Sequence, residues 1–263
     1  DYFNYSVFQF VNYLIIIVGF CYFIHKESQN SILSLLLFFL LCNYTTSFNI
    51  MRQYIAIGIV SIALTLMETH PKRFIVLILV ASLFHFSALL CLVLFPIKKM
   101  LSIKNKKWVL ITLAISFILG FFFTDALKAL VSLLEVFSFL NEGVPQYTSA
   151  WGTGMARNIF SNLTINFMFI LTYLLSRNKN SVYLRMYFLY ILLNNAFGSA
   201  GQGNRIFLYF FLGIFIAIPD VLYNLKRPLY RLGYCITVLV YGLGYWYIAM
   251  SSGSGEVVPY IWR

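Results

Sequence analysis

"RFIVLILVASLFHFSALLCLVLFPI", residues 73–97, is long enough to cross a bilayer once, yet it sets His85 at its centre with small residues on either side. How this stretch is read decides the architecture. Taken as one straight span, it puts Lys72 and Arg73 on one face and Lys98, Lys99, Lys104, Lys106 and Lys107 on the other. Cytoplasmic loops carry an excess of lysine and arginine, so that arrangement is disfavoured. If the chain instead enters, breaks at "ASLFHFSALL" and returns, each arm is a half-helix of about 11–12 residues, roughly 17 Å at 1.5 Å per residue. Such an arm reaches mid-membrane. Both cation clusters then share one face. Irregular backbone at that depth is tolerated only where protein or a water-filled cavity satisfies it, so the break would itself mark a cavity. A straight span holding a satisfied buried histidine is the competing reading.

The rest of the chain places this stretch in a membrane. Of the 263 residues, 61% are hydrophobic and 10% charged, and mean hydropathy is +0.83. No globular surface can be built from that composition. Apolar runs of spanning length fall near 6–24, 31–46, 52–68, 73–97, 108–124, 159–176, 183–200, 204–224 and 231–249. A crossing takes about 20 residues, so the expected fold is all-α, a polytopic transmembrane bundle of about 8–9 hydrophobic segments, one of them a re-entrant pair. Residues 1–263 read as a single transmembrane domain, expected to be incomplete at its N-terminus because no initiator methionine or signal peptide is present. Cys21, Cys42, Cys91 and Cys235 lie within apolar runs at no metal-ligand or redox spacing, and read as small packing residues.

The net charge of +11 is a topology signal and not a nucleic-acid one, because the cations sit in short loops between spans. With residues 73–97 re-entrant, Lys26, Lys72, Arg73, the five lysines, Arg177, Lys179, Arg185, Lys226, Arg227 and Arg231 fall inside. Only Arg52, Lys128, Arg157, Arg205 and Arg263 fall outside. Segment 125–142, "DALKALVSLLEVFSFLNE", carries Lys128, Ser132, Glu135 and Glu142 at helical spacing. It reads as an amphipathic interfacial helix within an outer loop from about 125 to 158, with a short ordinary span as the alternative.

Three of the outer arginines open helices: Arg52 in "NIMRQYIAIGI", Arg157 in "GTGMARNIFSNLTINF" and Arg205 in "GQGNRIFLYFF". A helix N-terminus already favours an anion, so a cation placed there is unfavourable unless an anion joins it. Each arginine is surrounded by glycine or amides, namely Gln53, then Gly152, Gly154 and Asn158, then Gly201, Gln202, Gly203 and Asn204. Glycine admits close approach of a ligand to backbone, and the guanidinium fork matches phosphate oxygens. Behind Arg157, Asn158, Asn162 and Asn166 recur every four residues as a polar stripe facing the bundle or a cavity. The expected site is therefore an anionic headgroup pocket for phosphate or pyrophosphate at the outer leaflet. It is built from Arg52, Gln53, Arg157, Asn158, Gln202, Asn204 and Arg205.

"RQYIA" at 52–56, "LFHFSAL" at 83–89 and "GQGNRI" at 201–206, in this order, resemble the EpsG-type branch of the Wzy polysaccharide polymerases. "DYFNY" at the start and "VVPYI" near the end resemble further motifs of that family, so the likeness covers nearly the whole chain. The resemblance implies a GT-C-like glycosyltransferase of a bacterial inner membrane, multi-pass. It would join undecaprenyl-pyrophosphate-linked repeat units into O-antigen, capsule or exopolysaccharide at the outer face. Implied partners are those lipid-linked glycans and the bilayer, with chain-length regulator and flippase proteins as candidates and no nucleic acid.

For that chemistry the sequence offers His85 as general base and Arg52 and Arg205 as catalytic cations at the leaving pyrophosphate. An unperturbed imidazole pKa of about 6.5 leaves neutral histidine able to accept a proton. A structural hydrogen-bonding role for His85 is the alternative. No Asp-x-Asp motif is present and outer carboxylates are few, so neither metal nor cofactor is expected. Two other functions use the same arginines: a flippase or other transporter of lipid-linked oligosaccharide, and a noncatalytic glycolipid-binding subunit. A transporter is expected to show an internal repeat, and none is visible.

Overall fold

A computed structural model describes residues 2–136, 159–198, 205 and 207–251, with backbone alone for 2–6, 98–100 and 123–136. Among the described residues every regular element is helical. In chain order these are α1 (Tyr2–Glu27), α2 (Ser31–Leu40), α3 (Asn43–Asn49), α4 (Met51–Leu66) and α5 (Pro71–Phe84). A 3-10 helix (Phe86–Val93) leads into α6 (Leu94–Met100) and α7 (Lys106–Val136). Then come α8 (Ile159–Leu175), α9 (Val182–Phe197), α10 (Leu208–Phe211), α11 (Ile214–Asn224) and α12 (Pro228–Ser251). In a lipid solvent helices are the natural outcome, since each one satisfies its own backbone groups.

The protein is a membrane protein. Among the described residues two helices, α1 from Val7 and α12, are long and apolar enough to cross a bilayer alone, and the α2–α3 pair, bent by 48°, makes a third if it is one broken span. Met51–Leu66, Phe86–Ile97, Ile159–Leu175 and Leu208–Asn224 are apolar but shorter. At 1.5 Å per residue, α4 is about 24 Å long, short of the ~30 Å hydrocarbon core. The apolar runs at 31–46 and 204–224 are each interrupted. The first bends at Cys42, which takes a left-handed backbone conformation (φ 56°). There its carbonyl accepts from the hydroxyls of Thr45 (3.0 Å) and Thr46 (2.7 Å). Helix α7 runs unbroken from Lys106 to Val136, so residues 125–136 continue the preceding apolar helix and do not begin a separate one. Residues 137–158 lie outside the described residues. Arg185, expected in a loop, instead sits buried in the first turn of α9, with a guanidinium N–H donated to Asn180 Oδ1 at 3.4 Å.

Residues 71–97 form a hairpin. Helix α5 ends at Phe84, His85 is extended (φ −151°, ψ 114°), and the chain turns back through the 3-10 helix. The decisive contact is Phe74 edge-to-face with Phe95, ring centroids 4.9 Å apart. One straight helix would hold those rings about 30 Å apart at 1.5 Å per residue. Arg73 and Lys98 are thereby brought to the same end, as the charge pattern requires. The break leaves no backbone group of His85 idle: its N–H donates to Ala81 O (3.1 Å) and its carbonyl accepts from Ala88 N (3.0 Å).

The other cationic loops gather at that end too. Tyr173, near the end of α8, donates its hydroxyl to Ile103 O at 2.8 Å. Lys179 lies 4.0 Å over the Tyr173 ring and donates to the Tyr173 carbonyl. Burial and the neighbouring Lys106 charge push the Lys179 ammonium down to about 8. Alongside is a polar cavity of about 390 Å³ lined by Gln29, Ser176, Arg177, Asn178, Asp220 and Asn224.

The core is aromatic. Phe20 of α1, Phe38 of α2, Tyr54 of α4 and Phe215 of α11 meet with centroid separations of 4.4 to 6.5 Å. Around the other half, Phe169 of α8 packs on Tyr187 and Phe188 of α9, and Trp108 of α7 closes on Phe188. Helices α1 and α4 touch almost backbone to backbone: a Cβ added to Gly19 would fall 2.4 Å from the Gly58 carbonyl oxygen. Small residues permit such approach between membrane helices, where close van der Waals packing replaces the hydrophobic drive. Gly19→Leu is therefore expected to part α1 from α4. The expected loss is about 3 kcal/mol or more, the upper end of overpacking penalties, because the obstacle is backbone. Thermal melting of detergent-purified protein by fluorescence-detected gel filtration checks it, and an unchanged midpoint would show the two helices free to separate.

Candidate functional site

Helix α4 carries the first component of the site. Its start has no side-chain cap, and Arg52 is exposed there, while the Gln53 and Tyr54 N–H groups both donate to the Ile50 carbonyl. Gln53 is turned inward and buried, and its amide donates to the backbone carbonyl of Arg205. That bond fixes the chain around Arg205, just ahead of α10, against the start of α4.

The hairpin tip supplies the second component. His85 and Ser87 are half-buried, and His85 Nδ1 lies 2.6 Å from Ser87 Oγ. Ser87 Oγ in turn donates to the Tyr209 hydroxyl at 3.3 Å. Tyr209, on α10, is fully buried. Both the Arg52 and the Arg205 guanidinium stand close enough for their charges to act on the His85 imidazole. The site therefore lies at the end of α4 and α5 away from Lys72 and Arg73, roughly 20 Å along the helices at 1.5 Å per residue. Chemically, it offers two positive charges for an anion and an imidazole that can exchange a proton.

Of the residues the sequence singles out, Arg52, Gln53, His85 and Arg205 converge here. Arg157, Asn158, Gln202 and Asn204 lie outside the described residues. Asn162 and Asn166 turn into the bundle. Asn166 and Asn195 exchange amide hydrogen bonds (2.7 and 2.9 Å), Asn195 also donates to Ser116 Oγ (3.0 Å), and Asn194 donates to Asn162 Oδ1 (3.0 Å). In an apolar interior such a network holds α7, α8 and α9 in register, since any amide left unpaired would be heavily penalised.

The sequence model of the EpsG family matches residues 2–262. The chain belongs to the EpsG family. This is a family of Wzy-type polysaccharide polymerases. No curated protein and no solved structure matches the chain. In this EpsG-family protein "RQYIA" opens α4, "LFHFSAL" is the hairpin tip, and Arg205 of "GQGNRI" sits between them. Sequence reading missed Ser87 and Tyr209. Their signals were present but weak: Ser87 stands two residues after His85, and Tyr209 one helical turn after Arg205.

Proposed function

We propose that this EpsG-family protein is a GT-C-like glycosyltransferase joining undecaprenyl-pyrophosphate-linked oligosaccharide repeat units at the outer face of a bacterial inner membrane. The convergence of Arg52, Arg205 and His85 at one end of the fold, opposite the gathered cationic loops, carries the reading. The acceptor sugar hydroxyl attacks the anomeric carbon of the donor glycan, and the bond from that carbon to the pyrophosphate oxygen breaks. Arg52 and Arg205 hold the pyrophosphate and stabilise the charge it gains as it leaves. His85 takes the hydroxyl proton. Arg157, Asn158, Gln202 and Asn204 complete the pyrophosphate and glycan contacts, with no metal taking part. Leu83 and Phe86, exposed to 81% and 79%, flank His85 with apolar surface suited to a prenyl chain. Chain-length regulator and flippase proteins are candidate partners in this reading.

In this reading the bundle has eight or nine hydrophobic segments, with residues 73–97 re-entrant from the cytoplasmic side. Engineered cysteines beside Arg157 and Gly201 are expected to react with an impermeant maleimide added outside, while those near Lys104 and Lys179 stay protected. Outside labelling of the 98–107 loop would overturn the orientation. Activity is tested with purified protein and lipid-linked repeat units, which are expected to lengthen into a ladder. Relocation of the units across a vesicle membrane without lengthening would make the protein a transporter. Binding with neither outcome would make it a glycolipid-binding subunit.

A further inference from the structure

Ser87 and Tyr209 have a bonding pattern that dictates where the proton sits on His85. A serine hydroxyl has a single proton, and the heavy-atom geometry assigns Ser87 Oγ as donor to the Tyr209 oxygen at 3.3 Å. Toward His85 it can therefore present only a lone pair. The 2.6 Å approach of Nδ1 to Ser87 Oγ then needs its proton on Nδ1. A neutral imidazole carries one N–H, so Nε2 is left bare. This tautomer is not the one neutral imidazole favours in water, where the proton prefers Nε2. The protein has selected it through the bond made by the other nitrogen.

We propose that Ser87 and Tyr209 are positioning residues that lock His85 in the Nδ1–H tautomer, so that Nε2 faces the acceptor sugar hydroxyl as the proton acceptor. This rests on the reading of His85 as general base. The arrangement suits both stages of that role. Before reaction the bare Nε2 accepts the hydroxyl proton; afterwards the imidazolium keeps its Nδ1–H bond to Ser87, so nothing in the tip reorganises. Tyr209 is the anchor, because it is fully buried and belongs to α10, the element immediately following Arg205. One short stretch of chain thus sets both the pyrophosphate-binding cation and the tautomer of the base.

The test uses the 263-residue chain with 15N-labelled histidine in lipid nanodiscs. Only three histidines are present, His25, His70 and His85, so His85→Ala assigns the signal. Wild-type protein is expected to give the Nδ1–H pattern for His85. Ser87→Ala and Tyr209→Phe are expected to move it to the Nε2–H pattern, the latter because the freed Ser87 proton turns toward Nδ1. Both should lower kcat in the ladder assay by about 10–100-fold, the usual size for loss of an orienting hydrogen bond, with KM for the donor little changed. Ser87→Thr keeps the hydroxyl and should restore both tautomer and rate. An Nε2–H signal in the wild type, or an Nδ1–H signal that survives Tyr209→Phe at full rate, overturns the proposal. If His85→Ala kills activity in that case, the base assignment stands and the positioning alone is wrong. Full activity in His85→Ala overturns both.

Discussion

Arg205→Ala is expected to abolish glycan ladders in a polymerase-deficient cell, with the protein still present at normal level in the membrane. The expected loss is about 100–1,000-fold, the size found when one preorganised donor to a developing oxyanion is removed. The Gln53 amide on the Arg205 carbonyl holds that backbone against the start of α4, which limits where its side chain can reach. Arg205→Lys keeps the charge but loses the planar fork that grips two phosphate oxygens, and should remain strongly impaired. Arg52→Ala is expected to behave like Arg205→Ala, whereas Arg263→Ala should be tolerated. Insertion should survive in every case, since the apolar segments dictate it. Normal ladders from both Arg52→Ala and Arg205→Ala at equal expression would reduce these arginines to helix anchors.

His85→Ala should lose about 100–10,000-fold in rate, the usual contribution of a general base. Its binding behaviour separates it from the arginine variants. His85→Ala should still retain a prenyl pyrophosphate, because Arg52 and Arg205 remain; the arginine variants should lose that affinity. His85→Gln tests the proton transfer itself, since an amide can hydrogen-bond but cannot accept a proton at neutral pH. Wild-type turnover by His85→Gln would leave His85 a hydrogen-bonding role only.

The break at His85 was legible from residues alone. A histidine amid small residues in an otherwise apolar run, with cations at both ends, left two readings, and the charge rule favoured the hairpin. Arg52 and Arg205 were legible for a similar reason: a cation at a glycine- or amide-rich helix start conflicts with local electrostatics, and such conflict is visible in a short window. The polar spacing of Asn162 and Asn166 was visible too, although not what they would face. Less legible were the ends of helices. The bend at Cys42 follows from Thr45 and Thr46 reaching back to a carbonyl, and the continuity of α7 past residue 124 overrode a compositional change at Asp125.

Sequence by itself determined the solvent for which this protein is built, the helical class that solvent demands, and which residues are electrostatically out of place. Those properties are local: hydropathy, charge and backbone preference act over one or two helical turns. Sequence reading expected Arg52, His85 and Arg205 to be neighbours, but only the tertiary structure supplied the contacts that bring them together. Gln53 meets the Arg205 carbonyl across 152 positions, and Ser87 meets Tyr209 across 122. Contacts of that range are chosen by how aromatic cores and bare glycine faces such as Gly19 against Gly58 let the helices nest. No periodicity within a single segment encodes that choice. The tautomer of His85 depends on the same packing, because a proton's place on an imidazole is set by whichever partner the fold brings to its other nitrogen.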